Sequence, residues 1–182
     1  RNQRDFEVIP SHAIASARVE DGALVAGPLR FRAVVLTATD TISAEAWERL
    51  SEFWDQGGMV VLVGDVPANS TQDLRDARVG AASARMLGLT DRDDAGEAAE
   101  IIANSNAAGG VAIYVPETLL PAVPRLLDRL LARDFAAGEA SSALRYAHWQ
   151  IDGREAYYVI NDSASAVQAR CTFAAEGDAE LW

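Results

Sequence analysis

The chain begins with a regular alternation of short apolar runs and segments whose apolar residues recur every three or four positions. Residues 33–36, 59–63 and 110–115 are continuously apolar, which predicts strands buried on both faces of a parallel sheet. Between the first two runs, Ser43 is placed to cap a helix that Gly57 ends. A strand, a helix and a strand in this order predict a right-handed crossover. We therefore predict an α/β fold with a flavodoxin-like open parallel sheet.

Weaker patterns fill the remainder of this part of the chain. A strand is predicted at residues 6–9 and a small helix near residues 11–17. Residues 70–88 are predicted to be partly helical, with Ser70 as the N-cap. A short strand is predicted at residues 101–102, inside an acidic and weakly patterned loop.

The pattern changes its period in the last part of the chain. Residues 135–143 are rich in alanine, glycine and serine and predict a linker. After it, apolar and polar residues alternate on both sides of residues 152–153, the Asp-Gly pair of a two-residue hairpin turn. Residues 167–173 predict a third strand and residues 181–182 the start of a fourth. We find no internal repeat.

These patterns divide the chain into three parts. The α/β domain spans residues 1–134, the linker follows, and residues 144–182 form the first strands of an antiparallel β-sandwich. Both ends of the chain fall inside patterned segments, so we expect a fragment whose α/β domain is truncated at its N-terminus. An antiparallel sheet of three or four strands rarely buries enough apolar surface to be stable alone. We therefore expect further strands downstream.

The charge of the chain excludes several classes of function. Aspartate and glutamate number 27 against 16 basic residues, all of them arginine, which gives a formal net charge of -11. A surface this acidic repels phosphate backbones, so we expect no nucleic-acid partner. The lack of lysine excludes Schiff-base chemistry and a phosphate-binding Walker lysine. No apolar run approaches the roughly 20 residues that span a bilayer, so we expect no membrane partner.

The bend at residues 64–67 follows the second buried run, at the position where α/β enzymes carry a nucleophile or a phosphate-binding loop. It contains neither serine nor cysteine, and the chain has no G-x-G-x-x-G pattern. Asp40, Asp65 and Asn69 follow strands whose carboxyl ends meet at one edge of the sheet, so they form a candidate polar crevice. Aspartates that cap helices and form turns are the alternative interpretation.

Four aromatic residues of the predicted hairpin form a candidate sugar platform, and these are Tyr146, Trp149, Tyr157 and Tyr158. Aromatic rings bind sugars by stacking. Packing in a core or at a domain interface accounts for the same residues, because aromatic side chains carry much of the buried area in sheets. Both interpretations stay open from the sequence.

The remaining reactive side chains predict no site. His12 and His148 lie far apart in sequence and neither has a partner at metal-ligand spacing, so we predict no metal site. Cys171 alternates with apolar residues, which predicts a buried and inert thiol. A single cysteine leaves the cellular compartment undecided. We predict no catalytic residue and no cofactor.

Two segments resemble parts of a known class of enzymes. Residues 31–70, FRAVVLTATDTISAEAWERLSEFWDQGGMVVLVGDVPANS, resemble the glutamine-amidotransferase-like domain of multidomain glycoside hydrolases. Residues 157–182, with YYVINDSASAVQARCTF and a closing ELW, are similar to the start of the β-sandwich that follows this domain in bacterial α-L-rhamnosidase-type enzymes. Thr37 departs from the pattern, since the family often has proline after this strand.

The resemblance implies a class I glutamine-amidotransferase-like α/β domain that lacks its cysteine nucleophile. It also implies a parent enzyme that hydrolyses terminal sugars, such as α-L-rhamnosides, through two carboxylates on a separate domain. The chain is then a non-catalytic accessory region. Its partners are other domains of the parent chain, a second subunit of a homo-oligomer, and the carbohydrate substrate of the parent. The alternative is an independent module that binds a small ligand or a carbohydrate without catalysis.

Overall fold

A computed structural model of the chain describes residues 4–91, 93–96, 98–138, 141–178 and 180. The contacts divide the chain into two compact units. One consists of Ile9–Val123, and we call it the α/β unit. The other consists of the described residues of Arg1–Val8 and Pro124–Trp182, and we call it the hairpin unit.

Short strands and helices make up both units. In chain order, the strands are β1 Arg18–Glu20, β2 Ala23–Ala26, β3 Leu29–Phe31, β4 Ala33–Thr37, β5 Thr41–Ile42, β6 Met59–Val63, β7 Asn69–Ser70, β8 Ile102–Ser105, β9 Val111–Val115, β10 Phe135–Ala137, β11 Leu144–Ile151, β12 Arg154–Asn161 and β13 Cys171–Phe173. The α-helices are α1 Ser11–Ala15, α2 Ala44–Asp55, α3 Ala77–Leu87, α4 Asp93–Gly96 and α5 Val123–Leu130. Two 3-10 turns lie at Glu117–Ala122 and Ser141–Ala143. No helix in the described ranges has both the length and the apolar character that a bilayer span requires.

The α/β unit is built around a four-stranded mixed sheet in the order β4-β6-β9-β8. Strands β4, β6 and β9 are parallel, and β8 runs antiparallel to β9. Strand β6 lies in the middle, and every one of its residues is buried. Strand β4 is an edge strand, and Val35 on it is 43% exposed. The prediction that this run is covered on both faces is therefore wrong.

Helix α2 connects β4 to β6 and forms for the reasons that the sequence indicates. The Ser43 hydroxyl accepts a hydrogen bond from the Ala46 N–H at 3.2 Å, and Gly57 follows the helix with a φ of 101°. Both predictions are confirmed. The apolar stripe is buried as predicted, and it consists of Ala46, Trp47, Leu50, Phe53 and Trp54. Burial of such a stripe against the sheet supplies most of the stability of a helix of this length.

The predicted flavodoxin-like open parallel sheet is wrong. The turn between β8 and β9 reverses the chain, because the Asn106 side-chain carbonyl accepts hydrogen bonds from the N–H groups of Ala108 and Gly110 at 3.0 and 2.8 Å. Strand β8 must therefore pair antiparallel with β9. Strands β1, β2 and β3 form a separate antiparallel sheet, and β5 and β7 form a two-stranded parallel one. The unit is thus a mixed α/β structure of several small sheets.

Weaker predictions in this part of the chain have mixed outcomes. The small helix is confirmed as α1, whereas residues 6–9 do not form a strand. The strand predicted at residues 101–102 is present as β8, which extends to Ser105. Helix α3 begins after Asp76, whose carboxylate caps it, so the prediction that Ser70 is the N-cap is wrong.

The hairpin unit consists of two antiparallel pairs, β11-β12 and β10-β13. The Asp-Gly turn is confirmed: Asp152 and Gly153 both have positive φ, 51° and 75°, as a type I′ turn requires. The predicted β-sandwich is wrong for the described residues, which form only these two-stranded sheets.

The third predicted strand is shorter than expected and pairs elsewhere. Only β13 forms, and it pairs with β10, which lies in the predicted linker. The fourth predicted strand, residues 181–182, lies outside the described residues. The division into domains at residues 134 and 144 stays a prediction.

Candidate functional site

Two of the three residues of the predicted polar crevice lie together. Strands β5 and β7 pair in parallel with Thr41 opposite Asn69, which brings Asp40 beside Asn69. The Asn69 side-chain amide donates to Asp40 Oδ2 at 3.3 Å, and the Thr41 hydroxyl donates to Asp40 Oδ1 at 2.8 Å. The backbone carbonyl of Asp40 accepts hydrogen bonds from the N–H groups of Ala68 and Asn69, both at 3.0 Å.

The other end of Asn69 is also engaged. Its side-chain carbonyl accepts a hydrogen bond from the Arg75 N–H at 2.8 Å. Arg75 has a φ of 55°, a conformation that costs about 1 kcal/mol for a residue with a side chain and persists only where neighbouring bonds hold it. The polar atoms of Asp40 and Asn69 thus bind one another and the adjacent loop. This arrangement closes two loops against each other.

Asp65 does not join this network. It is exposed in the bend after β6, and the preceding Gly64 has a φ of 85°. The hydroxyl of Tyr114 donates to the Gly64 carbonyl at 3.0 Å and holds the bend against β9. Burial raises the pKa of Tyr114, and the nearby charge of Asp65 raises it further. The structure therefore does not bring the three predicted crevice residues into one site.

A cavity of about 430 Å³, which no pattern in the sequence predicts, lies along α3. Small residues of the helix form one side of it, namely Ala77, Gly80, Ala81 and Ala84. Asp76 at its edge is 5% exposed and bonds the N–H and the guanidinium of Arg78. The hydrogen bond from Arg78 lowers the pKa of Asp76 to about 2. The charge at this helix start is therefore already paired.

The hairpin separates the four residues of the candidate sugar platform. Opposite residues of an antiparallel pair share a face, and neighbours along a strand alternate between faces. Tyr146 and Tyr157 lie on one face, which packs against a small core around Phe135. Trp149 and Tyr158 lie on the other face and are 50% and 60% exposed. The predicted platform is thus two pairs on opposite faces.

The exposed face has a regular composition. We call it the outer face and define it by its eight residues, Arg145, Ala147, Trp149, Ile151, Arg154, Ala156, Tyr158 and Ile160. Besides the two rings, Ile151 and Ile160 are 57% and 40% exposed. These four large apolar side chains form one patch on the outer face, and the largest apolar patch of a protein often has a function.

The opposite face carries a polar network that the sequence reading missed. The His148 ring lies between two carboxylates, with Nδ1 3.1 Å from Asp134 Oδ2 and Nε2 2.6 Å from Glu155 Oε2. It stacks on the Tyr157 ring at 4.0 Å between centroids. Because both ring nitrogens are engaged, His148 has no free nitrogen for a metal ion or for proton transfer to a substrate.

Tyr146 connects the same network to the start of the chain. Its hydroxyl donates to Asp134 Oδ1 at 2.6 Å and accepts the Asp5 N–H at 2.7 Å. The Asp5 carboxylate in turn accepts a hydrogen bond from the backbone N–H of His148 at 3.0 Å. Burial raises the pKa of Tyr146 well above its ordinary value, and the bond to Asp134 adds to the effect. These bonds tie three distant segments of the hairpin unit together.

The remaining candidates lie apart from both networks. Cys171 is partly buried against the core around Phe135. His12 lies on α1 in the other unit. Within the described ranges, no group of three or more His, Cys, Asp or Glu side chains is arranged to hold a metal ion.

No protein-family model matches the chain. No curated protein matches it either.

Proposed function

We propose that the chain is a non-catalytic accessory region of a bacterial glycoside hydrolase whose parent chain hydrolyses terminal sugars such as α-L-rhamnosides. The observation that carries the proposal is the use of polar side chains at the loops after the strands. Asp40 and Asn69 bind each other, and Asn69 also binds the backbone of the adjacent loop. Loops bonded in this way brace a surface, and their polar side chains have a structural use.

The hairpin unit supports the same proposal. His148 is the side chain there best suited to proton transfer, and two carboxylates engage it from both sides. The network around it joins the start of the chain to the hairpin. Such bonds stabilise a scaffold, and the sequence resemblance of residues 31–70 and 157–182 to bacterial glycoside hydrolases supports an enzymatic parent.

The proposal is tested by assaying the 182-residue chain with a panel of aryl glycosides that includes an α-L-rhamnoside. We expect no release of the aryl group. Turnover by this chain, lost when Asp65 is changed to asparagine, contradicts the proposal.

The reading frame around the segment is a second test, and it is expected to encode a domain with two catalytic carboxylates. A frame that encodes no such domain also contradicts it.

A specific observation favours a second function, carbohydrate binding through the outer face. Trp149 and Tyr158 lie on adjacent pairs of this face and are half or more exposed. Exposed aromatic rings stack on sugars with little loss of side-chain entropy, because each ring has only two rotatable side-chain bonds.

Affinity electrophoresis in gels that contain a polysaccharide tests this second function. If the outer face binds the polysaccharide, the chain is retarded and Trp149→Ala removes the retardation. Tyr157→Phe is the matched control, because Tyr157 lies on the opposite face and its buried hydroxyl has no hydrogen-bond partner among the described residues. Equal retardation of all three proteins contradicts binding at the outer face.

A further inference from the structure

The two strands of the hairpin carry the same short pattern on the outer face. Residues 145–151, RYAHWQI, and residues 154–160, REAYYVI, both read Arg-x-Ala-x-aromatic-x-Ile. All four matching positions point to the outer face, since successive residues of a strand alternate between faces. The chain therefore contains a short internal repeat, which contradicts the reading of the sequence as free of repeats.

Because the two strands pair antiparallel, the two copies of this pattern lie side by side in opposite directions and form a symmetric surface. Across the hairpin, the four outer pairs are Arg145 with Ile160, Ala147 with Tyr158, Trp149 with Ala156, and Ile151 with Arg154. A pseudo-two-fold axis perpendicular to the sheet exchanges the two strands. Each aromatic ring has an alanine as its cross-strand neighbour, so a large side chain lies opposite a small one in both central pairs.

We propose that the outer face is a self-association surface, and that its partner is the outer face of a second copy of this chain. When a second copy is turned over about an axis parallel to the strands, its Trp149 lies over Ala156 of the first copy. Its Tyr158 lies over Ala147. Large side chains therefore meet small ones across the interface, which is the complementarity that close sheet packing requires.

The charges of the outer face fit the same arrangement. In the turned copy, Arg145 lies over Ile160 and next to Asp162, which continues the outer face beyond Ile160. Arg154 lies over Ile151 and next to the turn residue Asp152. Within one copy, Arg145 already pairs with Asp162 at 3.0 Å. Each arginine can thus lay its apolar stem on an isoleucine and place its guanidinium beside a carboxylate of the other copy.

The area of the face sets the strength of the association. The four large apolar side chains are between 40% and 60% exposed. Because an aromatic side chain presents about 200 Å² when fully exposed and an isoleucine somewhat less, the four present roughly 400 Å². With the arginine stems and alanines, two copies bury about 1,000 Å² in total, which is the lower limit for a specific interface. We expect a weak, concentration-dependent dimer and no obligate one.

Sedimentation velocity of the 182-residue chain over a range of concentrations tests the proposal. We expect the sedimentation coefficient to rise with concentration towards that of a dimer. Tyr158→Arg should abolish the rise. Leu74→Arg is the control, since Leu74 is 81% exposed in the α/β unit and should leave the dimer unchanged. A chain that stays monomeric at its highest soluble concentration overturns the proposal, as does a monomer that binds an oligosaccharide at this face.

A substitution that enlarges a small residue separates specific packing from general stickiness. Ala156→Phe fills the space into which Trp149 of the second copy packs, so we expect the dimer to weaken about tenfold or more, equivalent to about 1.4 kcal/mol. An unspecific apolar contact would instead become tighter with an added ring. Ala147→Phe, its symmetry equivalent, should have the same effect and replaces it if circular dichroism shows a loss of fold. An unchanged or tighter dimer for the folded variant overturns the proposal.

Discussion

The loops after the strands of the α/β unit and the outer face of the hairpin differ in how their side chains are used. In the loops, the side chains of Asp40 and Asn69 bond each other, Thr41 and the backbone. On the outer face, Trp149 and Tyr158 are exposed and lack the packing that aromatic rings favour. The polar side chains of the loops therefore hold the fold together, whereas the regular strand surface leaves two aromatic rings accessible to a partner.

Two tryptophans illustrate the difference in energy. Trp47 on α2 is 1% exposed, and its indole N–H donates to the Val79 carbonyl at 3.2 Å. Trp149 on the outer face is 50% exposed. The first ring contributes to the stability of its unit through burial, while half of the second ring remains accessible to solvent or a partner.

The largest expected effect comes from truncating these two rings. Trp47→Ala should destabilise the α/β unit by about 3–5 kcal/mol, because it leaves a cavity in the core and removes a buried hydrogen bond. Trp149→Ala should destabilise the hairpin unit by only about 1 kcal/mol through lost cross-strand contacts. Urea unfolding at low protein concentration, followed separately for each unit, measures both. Equal losses would contradict the contrast between a core and an available surface.

The next effect tests the turn that makes the sheet mixed. A Cβ on Gly110 would lie 1.9 Å from the Trp54 carbonyl oxygen, so Gly110→Ala must displace the turn or α2. We expect a loss of about 3 kcal/mol in the free energy of unfolding of the α/β unit.

Gly109→Ala is the matched control for this turn. A Cβ on Gly109 meets no atom within 4 Å, and only its φ of 86° opposes a side chain. Its expected cost is about 1 kcal/mol, the ordinary penalty of a left-handed residue. If Gly110→Ala costs no more than Gly109→Ala in urea unfolding, the close contact with α2 does not constrain the turn.

Helix α2 and strand β6 could be predicted because their signals are local. The Ser43 cap, the stripe around Trp47 and Leu50, and Gly57 all act within one helix. The direction of β8 was not predicted, although its signal is also local. The Asn106 side chain bonds the N–H groups of Ala108 and Gly110, and the short turn between Ser105 and Val111 allows only antiparallel pairing. The contact of Asn106 with the Trp54 carbonyl, 52 residues away, fixes this turn against α2 and leaves no periodic signal in the sequence.

For the candidate sites, the sequence could not predict the His148 network, but it could have predicted the two faces of the hairpin. The His148 network could not be predicted, since it depends on Asp5 and Asp134 from distant segments. The faces of the hairpin could have been predicted. The Asp152-Gly153 turn fixes the register, and the register alone places Trp149 and Tyr158 on one face. The repeat was likewise visible in the sequence at alternate positions.

A smaller effect compares the two aspartates of the predicted crevice. Asp40→Ala removes the bonds to Thr41 and Asn69 and should cost about 1 kcal/mol in urea unfolding, since the site is exposed. Asp65→Ala removes no such bond and should change stability by less than about 0.5 kcal/mol. A larger cost for Asp65→Ala would show that the bend after β6 carries the more important carboxylate.

The smallest expected effect is a dependence on pH at the start of α3. The hydrogen bond from Arg78 holds the pKa of Asp76 at about 2, below the ordinary value of about 3.9. The unfolded chain therefore binds this proton more readily than the folded one. The stability that the charge contributes is complete above about pH 4 and disappears as the pH falls through about 2. Asp76→Asn keeps a capping side chain but removes the charge.

The measurement is the difference in unfolding free energy between the original chain and Asp76→Asn as the pH is lowered. This difference should favour the original chain at neutral pH and shrink between about pH 4 and pH 2. Asp73→Asn is the control, because Asp73 is exposed and contributes only its backbone groups to the bonds with Ser70. Its difference should stay flat over the same range. If the difference in unfolding free energy for Asp76→Asn also does not change with pH, the charge of Asp76 and its pairing with Arg78 add no stability. The side chain would then act only as a hydrogen-bonding cap of α3.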